Sequence, residues 1–119
     1  MIIKLDNYPP SANAIWRAVP GRGVIKSALY RTWLIDQTLK IHLQTGDRVE
    51  GHYHIHFRVQ RKDKRRRDLD NLLKPLHDLI VAAGLVDDDS QCDRIVAEWD
   101  GVGQNITIEI TGVSSAKGS

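Results

Sequence analysis

Two aspartates separated by one residue, Asp68 and Asp70, directly follow a run of basic residues in the segment 64–71 (KRRRDLDN). In an extended segment, side chains two residues apart point to the same side, so both carboxylates can share one cation. Hard divalent ions such as Mg²⁺ take oxygen ligands of this kind, together with water and substrate phosphate. A further acidic residue, Asp89, ends the acidic run 87–89 and completes a candidate set of three ligands.

The cations around the acidic pair suit a phosphodiester substrate. Arg65, Arg66 and Arg67 adjoin the pair, and guanidinium groups match the geometry of phosphate oxygens. Such contacts set affinity and register without reading the base sequence. Lys74 falls one helical turn after Asp70, where it would neutralise charge on a phosphate or a leaving oxygen. Metal-assisted phosphodiester hydrolysis is therefore the chemistry that these residue types indicate.

Each of these features also has a simpler structural interpretation. Carboxylates just before a helix cap its backbone N–H groups and suit the positive end of the helix dipole. An acidic run in a loop is commonly a solvated surface. On that interpretation the chain is a non-catalytic nucleic-acid-binding protein. A third interpretation is a less selective nuclease acting on branched or flapped DNA.

The hydrophobic pattern predicts the elements that must position these residues. Period-two alternation is clearest in YHIHFRVQ, whose Tyr, Ile, Phe and Val predict one buried face of a strand. The same reasoning predicts strands over 2–6, 53–60, 93–100 and 105–111, and helices over 29–43 and 72–83. Residues 101–103 are expected to join the last two strands as a hairpin. The order is β-α-β-α-β-β, an α+β domain of two layers with both helices on one face of a mixed sheet.

The second predicted helix fixes the surroundings of the acidic pair. Asp70 or Asn71 is expected to cap its start, because Pro75 suits only the first turn of a helix. Gly84 is expected to end it. A helix of this length spans about 18 Å, so Asp70 and Asp89 start at opposite ends. Asp89 then reaches either Asp70 of its own chain or Asp70 of a partner chain; we favour the return within one chain.

Other residues that attract attention have ordinary explanations. His52, His54 and His56 alternate along a strand and are interpreted as an exposed sheet face rather than a zinc-like site. His77 is expected on the polar side of its helix, either as a surface histidine or as a partner of phosphate or of a metal ligand. Trp33 and Trp99 are expected in the core.

Length and composition fit one globular domain. The chain has 119 residues, a formal net charge of +2 and a single cysteine, which excludes an internal disulfide. No apolar run approaches the roughly 20 residues of a membrane helix, and a cytoplasmic protein is expected. The domain is predicted to occupy 1–113, followed by a disordered tail over 114–119.

Two sequence blocks, RRRDLDNLLK and AGLVDDDSQ, closely resemble the RusA family of Holliday junction resolvases, small bacterial and phage-borne endonucleases. The earlier PPSANAIWR resembles the N-terminal segment of that family, and the resemblance runs from about residue 5 to residue 111. It implies a homodimer that binds four-way DNA junctions and cuts two opposing strands symmetrically, in recombination and repair. It further implies Mg²⁺ or Mn²⁺ as the cofactor, no small-molecule cofactor, and products with a 5′-phosphate and a 3′-hydroxyl.

The resemblance also implies roles for individual positions. The matching residues expected to be catalytic are Asp68, Asp70, Asp89 and Lys74, with the three aspartates as metal ligands. Motif positions expected to support those ligands are Asn71, Asp88 and Gln91. Residues expected to contact DNA are Lys64, Arg65, Arg66, Arg67, Asn13, Arg17 and Lys26. Asp87 departs from the commonest family pattern, in which a hydrophobic residue often stands at that position.

Overall fold

The computed structural model describes residues 1–10, 16–19, 23–64 and 68–113, without the side chains of 16–19 and 23–26. The predicted tail 114–119 lies outside these residues. The elements along the chain are β1 (Ile2–Leu5), β2 (Trp16–Val19), β3 (Gly23–Lys26), α1 (Ala28–Gln44), β4 (Tyr53–Arg61), α2 (Asp70–Ala82), a 3₁₀ helix (Asp89–Gln91), β5 (Cys92–Val102) and β6 (Ile106–Gly112).

The main sheet has four strands in the order β1-β6-β4-β5. β4 pairs with β5 in parallel, whereas β1 with β6 and β4 with β6 pair antiparallel. The predicted α+β class with a mixed sheet is therefore confirmed. The parallel pair exists because α2 carries the chain back along the sheet between β4 and β5, as a parallel connection requires.

The expected hairpin between the last two strands is wrong, because β4 lies between β5 and β6. The short connection instead crosses the end of β4. The backbone N–H of Gly103 donates to the carbonyl of Arg61 at 2.9 Å, and that of Gln60 donates to the carbonyl of Asn105 at 3.0 Å. Two alternating strands joined by a glycine-containing turn resemble a hairpin locally, and only the partner of each strand distinguishes the two arrangements.

A second sheet of two strands was missed from the sequence. β2 and β3 pair antiparallel, from Trp16 opposite Lys26 to Val19 opposite Gly23. The sequence pattern predicted no strand or helix between residues 6 and 29. The short strands carry too few alternating residues to stand out from the surrounding sequence.

One core lies between the helices and one face of the main sheet. In β4 the alternating residues Tyr53, Ile55, Phe57 and Val59 are buried, which confirms the predicted pattern. The same core cluster includes Leu72, Leu76, Leu79 and Ile80 from α2 and Tyr30, Trp33 and Ile41 from α1. Trp33 is 5% exposed, as expected.

The expectation that Trp99 lies in the core is wrong. Trp99 is only half-buried, because β5 is the edge strand of the sheet. The guanidinium carbon of Arg61 lies 4.4 Å from the centre of its ring. The indole is therefore shared between the core and a cation at the end of β4.

The start of α2 differs from the prediction. The helix begins at Asp70 rather than Leu72, and its N-cap residue is Leu69, with no side-chain cap hydrogen bond. The expected cap by Asp70 or Asn71 is wrong, because both residues already lie in the first turn. Pro75 consequently sits in the second turn, where its buried ring joins the packing of the helix. That packing offsets the backbone hydrogen bond that proline cannot make.

The end of α2 agrees with the prediction. Gly84 has a φ of +80°, a conformation in which a side chain would be strained. Its N–H donates to the carbonyl of Val81 at 3.0 Å, and that of Leu85 donates to Ile80 at 3.0 Å. This is the Schellman arrangement. It turns the chain back along α2 toward the acidic run.

Among the residues that the structure describes, neither α1 nor α2 combines the length and the hydrophobicity that a membrane span requires.

Candidate active site

Asp68 and Asp70 stand exposed at the start of α2. The backbone N–H of Asn71 donates to the carbonyl of Asp68 at 3.2 Å, which places both aspartates at the first turn. Within the described part of the chain, neither carboxylate has a hydrogen bond or an ion pair. Because they do not cap the helix, their oxygens are available as ligands.

Lys74 joins α2 to the acidic run. Its Nζ lies 3.1 Å from Oδ1 of Asp78 and 3.2 Å from Oδ2 of Asp89. The hydrogen bonds to Asp78 and then to Asp89 raise the pKa of the Lys74 ammonium above its ordinary 10.5. Lys74 is therefore a fixed positive charge at neutral pH rather than a base. Asp89 returns to α2 within its own chain and meets the predicted lysine there.

Asp78 was missed by the sequence analysis. Besides Lys74, it contacts the hydroxyl of Tyr30, which donates to its Oδ2 at 3.4 Å. Burial, followed by the charge of Asp78, raises the pKa of Tyr30 to about 12. The carboxylate thus bridges α1 and the exposed lysine of α2. Its spacing of four residues after Lys74 was a signal that could have identified it.

The three consecutive aspartates have three different partners. Asp87 forms an ion pair with the guanidinium of Arg48. Asp88 accepts hydrogen bonds from the backbone N–H and the hydroxyl of Ser90 and caps the 3₁₀ helix. The hydroxyl bond is the main reason that the pKa of Asp88 is lowered. Asp89 alone reaches Lys74, so the structure distinguishes one aspartate by its contact with the candidate site.

A buried polar pair lies behind the acidic run. His77 is 6% exposed, so the expectation of a surface histidine is wrong. Its Nε2 lies 2.6 Å from the hydroxyl of Tyr53, which is also 3.3 Å from the carbonyl of Asp88. Burial lowers the pKa of His77 and raises that of Tyr53, so both are neutral near pH 7. The pair fixes the acidic run against β4 and α2.

The supporting motif residues are placed differently from one another. Asn71 is exposed in the first turn of α2. Gln91 ends the 3₁₀ helix, and its amide oxygen is buried without a hydrogen-bond partner in the described part of the chain. An orphaned acceptor of this kind is uncommon in folded proteins.

The donor set fits a hard divalent ion in its chemistry, because all three predicted ligands are carboxylates. The described residues of this single chain nevertheless contain no group of three acidic, histidine or cysteine side chains close enough to hold a metal ion. Asp78, which shares Lys74 with Asp89, lies about 12 Å along the helix axis from Asp70. The chain thus brings Asp89 to Lys74, while Asp68 and Asp70 remain at the helix start.

The residues predicted to contact DNA fall partly within the described segments. Lys64 is exposed at the end of the described segment that precedes α2. Asn13, Arg65, Arg66 and Arg67 lie outside the described residues. Arg17 and Lys26 belong to the backbone of β2 and β3, opposite Ile25 and Trp16 respectively.

The alternating histidines lie on the sheet face opposite the helices. Nδ1 of His52 is 2.9 Å from Asp93, and Nε2 of His56 is 3.2 Å from Glu98. Together with the absence of any metal-binding group among the described residues, these pairs favour the interpretation of a polar sheet face.

Comparison with known proteins gives two matches. The family model described as Endodeoxyribonuclease RusA matches residues 7–111. The chain is also similar to a protein of Enterobacteria phage HK97 named crossover junction endodeoxyribonuclease rusA. The two are 36% identical over 114 residues, which cover 91% of this chain and 92% of the relative. The range of the family match contains the acidic pair, Lys74 and the acidic run.

Proposed function

The chain belongs to the RusA family of endodeoxyribonucleases, and on this premise we propose that it resolves four-way DNA junctions by a pair of symmetric, metal-dependent nicks. The observation that carries the proposal is the contact of 3.2 Å between Lys74 and Asp89. The contact joins the first turns of α2 to the acidic run that follows this helix, and both segments hold residue types that phosphodiester hydrolysis uses.

The roles of the residues follow from their charges. Asp68 and Asp70 would hold Mg²⁺ or Mn²⁺, with Asp89 as the third ligand. The chemistry that such an ion supplies is polarisation of the scissile phosphate and activation of water. Lys74, kept protonated by its two carboxylates, would neutralise charge that develops on the phosphate or the leaving oxygen.

The basic run has a separate task in this proposal. Lys64, Arg65, Arg66 and Arg67 would hold the DNA strand by its phosphates, directly beside the acidic pair. Contacts of this type weaken as salt concentration rises. Junction selectivity would then come from the shape of the substrate rather than from its base sequence.

A homodimer supplies the second active site that paired nicks require. Light scattering would test it, with a mass near 27 kDa expected from the 13.5 kDa chain.

A two-fold axis would also allow Asp89 of one subunit to serve the acidic pair of the other. Mixing Asp70→Asn chains with Asp89→Asn chains separates the cases. Each heterodimer regains one intact site only if the sites are shared between subunits.

Junction cleavage is the decisive test. Labelled four-way junctions and matched linear duplexes are incubated with and without Mg²⁺, using the wild type and the Asp70→Asn variant. We expect paired nicks that need Mg²⁺ and are lost in the variant, while junction binding is kept. Junction binding without cleavage in Mg²⁺ or Mn²⁺ would favour a non-catalytic nucleic-acid-binding protein. Equal cutting of linear or flapped DNA would favour a less selective nuclease.

A further inference from the structure

A cleft of about 600 Å³ opens where the end of β4 meets the proline-containing segment, α1 and the start of α2. Its walls include Tyr8, Pro9 and Pro10 on one side and Leu29 and Trp33 of α1 on the other. The volume is in the range of sites that bind small organic groups. None of the roles assigned above uses this cleft.

The aromatic walls of the cleft are held in place by hydrogen bonds. The indole N–H of Trp33 donates to the carbonyl of Asn7 at 3.4 Å, and the hydroxyl of Tyr8 donates to the carbonyl of Gln60. Both rings are largely buried. The cleft is therefore preformed and needs no rearrangement of the core to accept a flat group.

The rim combines apolar and charged groups. Leu29 is 59% exposed and gives the rim an apolar edge. The ammonium of Lys62 lies 4.8 Å from the centre of the Tyr8 ring and supplies a positive charge at the wall. The carboxylate of Asp36 is already paired with Lys40 at 3.3 Å. An apolar interior with a cation at its edge matches a nucleotide, which has a flat base and an anionic phosphate.

The cleft adjoins the candidate active site through the chain itself. Lys62 and Leu72 both line it, and the segment between them contains the basic run, Asp68 and Asp70. Asp70 precedes Leu72 by about 3 Å along the axis of α2. A DNA strand held at the acidic pair therefore lies within reach of the mouth of the cleft.

We infer that the cleft receives one unstacked nucleotide of the junction strand, next to the phosphate that is cut. This inference rests on the proposed function. Unstacking costs least where a base has already lost part of its pairing or stacking, and a base at the crossover of an open four-way junction lacks a stacking neighbour on one side. A base inside a linear duplex is paired and is stacked on both sides, so its removal from the stack costs more free energy. The cleft thus gives the enzyme a physical means to prefer junctions over duplexes.

A variant that fills the cleft tests the inference. Thr32 is an exposed lining residue of α1, so Thr32→Trp places an indole in the cleft without entering the core. Leu43→Trp, on the exposed end of the same helix, is the matched control. Affinities for a four-way junction and a linear duplex are measured in EDTA, where no cutting occurs. We expect Thr32→Trp to weaken junction binding at least tenfold and leave duplex binding unchanged, and Leu43→Trp to change neither.

A spectroscopic signal checks the base directly. The fluorescent base 2-aminopurine, which is quenched within a stack, replaces each base beside the crossover in turn. We expect the wild type and Leu43→Trp to change its emission at least twofold at one position, and Thr32→Trp to abolish the change. Should Thr32→Trp lower the unfolding midpoint, Leu29→Ser, at an exposed lining position, replaces it with the same expectations.

The possible failures are distinguishable. If the wild type binds junctions no better than duplexes and does not cut them, the proposed function fails and this inference fails with it. If the wild type prefers and cuts junctions while Thr32→Trp behaves as Leu43→Trp in binding and emission, the proposed function stands and the cleft inference is overturned.

Discussion

The hydroxyl of Tyr53 lies 2.6 Å from Nε2 of His77, in the interior between β4 and α2. The same hydroxyl is 3.3 Å from the carbonyl of Asp88. Both contacts are satisfied when Nε2–H of His77 donates to the hydroxyl oxygen and the hydroxyl donates to the carbonyl. A buried pair of neutral groups thereby connects the strand, the helix and the acidic run that ends in Asp89.

Removal of the hydroxyl should destabilise the fold. In Tyr53→Phe, His77 keeps its buried N–H but loses the acceptor. An unsatisfied buried polar group of this kind costs about 1–3 kcal/mol of unfolding free energy. Denaturant titration of the wild type and the variant measures the difference. The double variant Tyr53→Phe/His77→Leu should recover part of the loss, because it removes both polar partners. A double variant that loses as much as the sum of the two single variants would contradict the pairing.

The same histidine should make stability depend on pH. Burial is the main cause that lowers the pKa of His77 below its ordinary 6.5, so the unfolded chain takes up this proton first. Stability from this group is complete above about pH 6.5, falls as pH decreases toward the lower pKa of the folded state, and is flat below it. Unfolding titrations between pH 5 and 8 should show this slope in the wild type and a smaller one in His77→Leu. Equal slopes in both proteins would rule out the contribution.

Loss of the lysine charge should affect cleavage and leave the fold intact. Lys74→Gln removes the ammonium that contacts Asp78 and Asp89. Exposed ion pairs add little to stability, whereas one electrostatic group at a reacting phosphate is worth about 100-fold or more in rate. Lys40→Gln is the matched control, since Lys40 also contacts two aspartates, Asp6 and Asp36. Junction cleavage and thermal unfolding should separate the two variants; a similar loss of cleavage in both would contradict the assignment.

The three consecutive aspartates should respond differently to substitution. Asp89→Asn should lower junction cleavage by at least about 100-fold and raise the Mg²⁺ concentration needed for half-maximal rate. Asp87→Asn should leave cleavage unchanged, because its carboxylate is paired with Arg48 away from Lys74. The measurement is the rate of cleavage across a Mg²⁺ series. If Asp87→Asn lowered the cleavage rate more than Asp89→Asn did, the assignment of Asp89 as the ligand would be wrong.

The RusA family and the acidic pair were accessible from the sequence, because spacing within a short motif is local. Alternation in β4 and the glycine that ends α2 were predicted for the same reason. Each depends on the conformational preferences of a few neighbouring residues.

Tertiary structure decided the features that depend on partners distant in the sequence. The sequence placed β5 and β6 in a hairpin, yet the structure inserts β4 between them. Likewise, His77 looked like a surface residue on its helix until Tyr53, from another element, covered it. Helical periodicity indicates which side of a helix is polar. It does not indicate which other element of the fold supplies a hydrogen-bond partner for a polar group on that side.

The acidic run shows the division most clearly. The sequence shows three adjacent aspartates after the helix, and it led us to predict Asp89 as a ligand together with Asp68 and Asp70. Only the tertiary structure shows that Asp87 contacts Arg48, that Asp88 contacts Ser90 and that Asp89 contacts Lys74. Charge and spacing define what a residue can do. Packing of the whole core fixes the positions of the possible partners. Those positions decide which of several equivalent aspartates contacts Lys74.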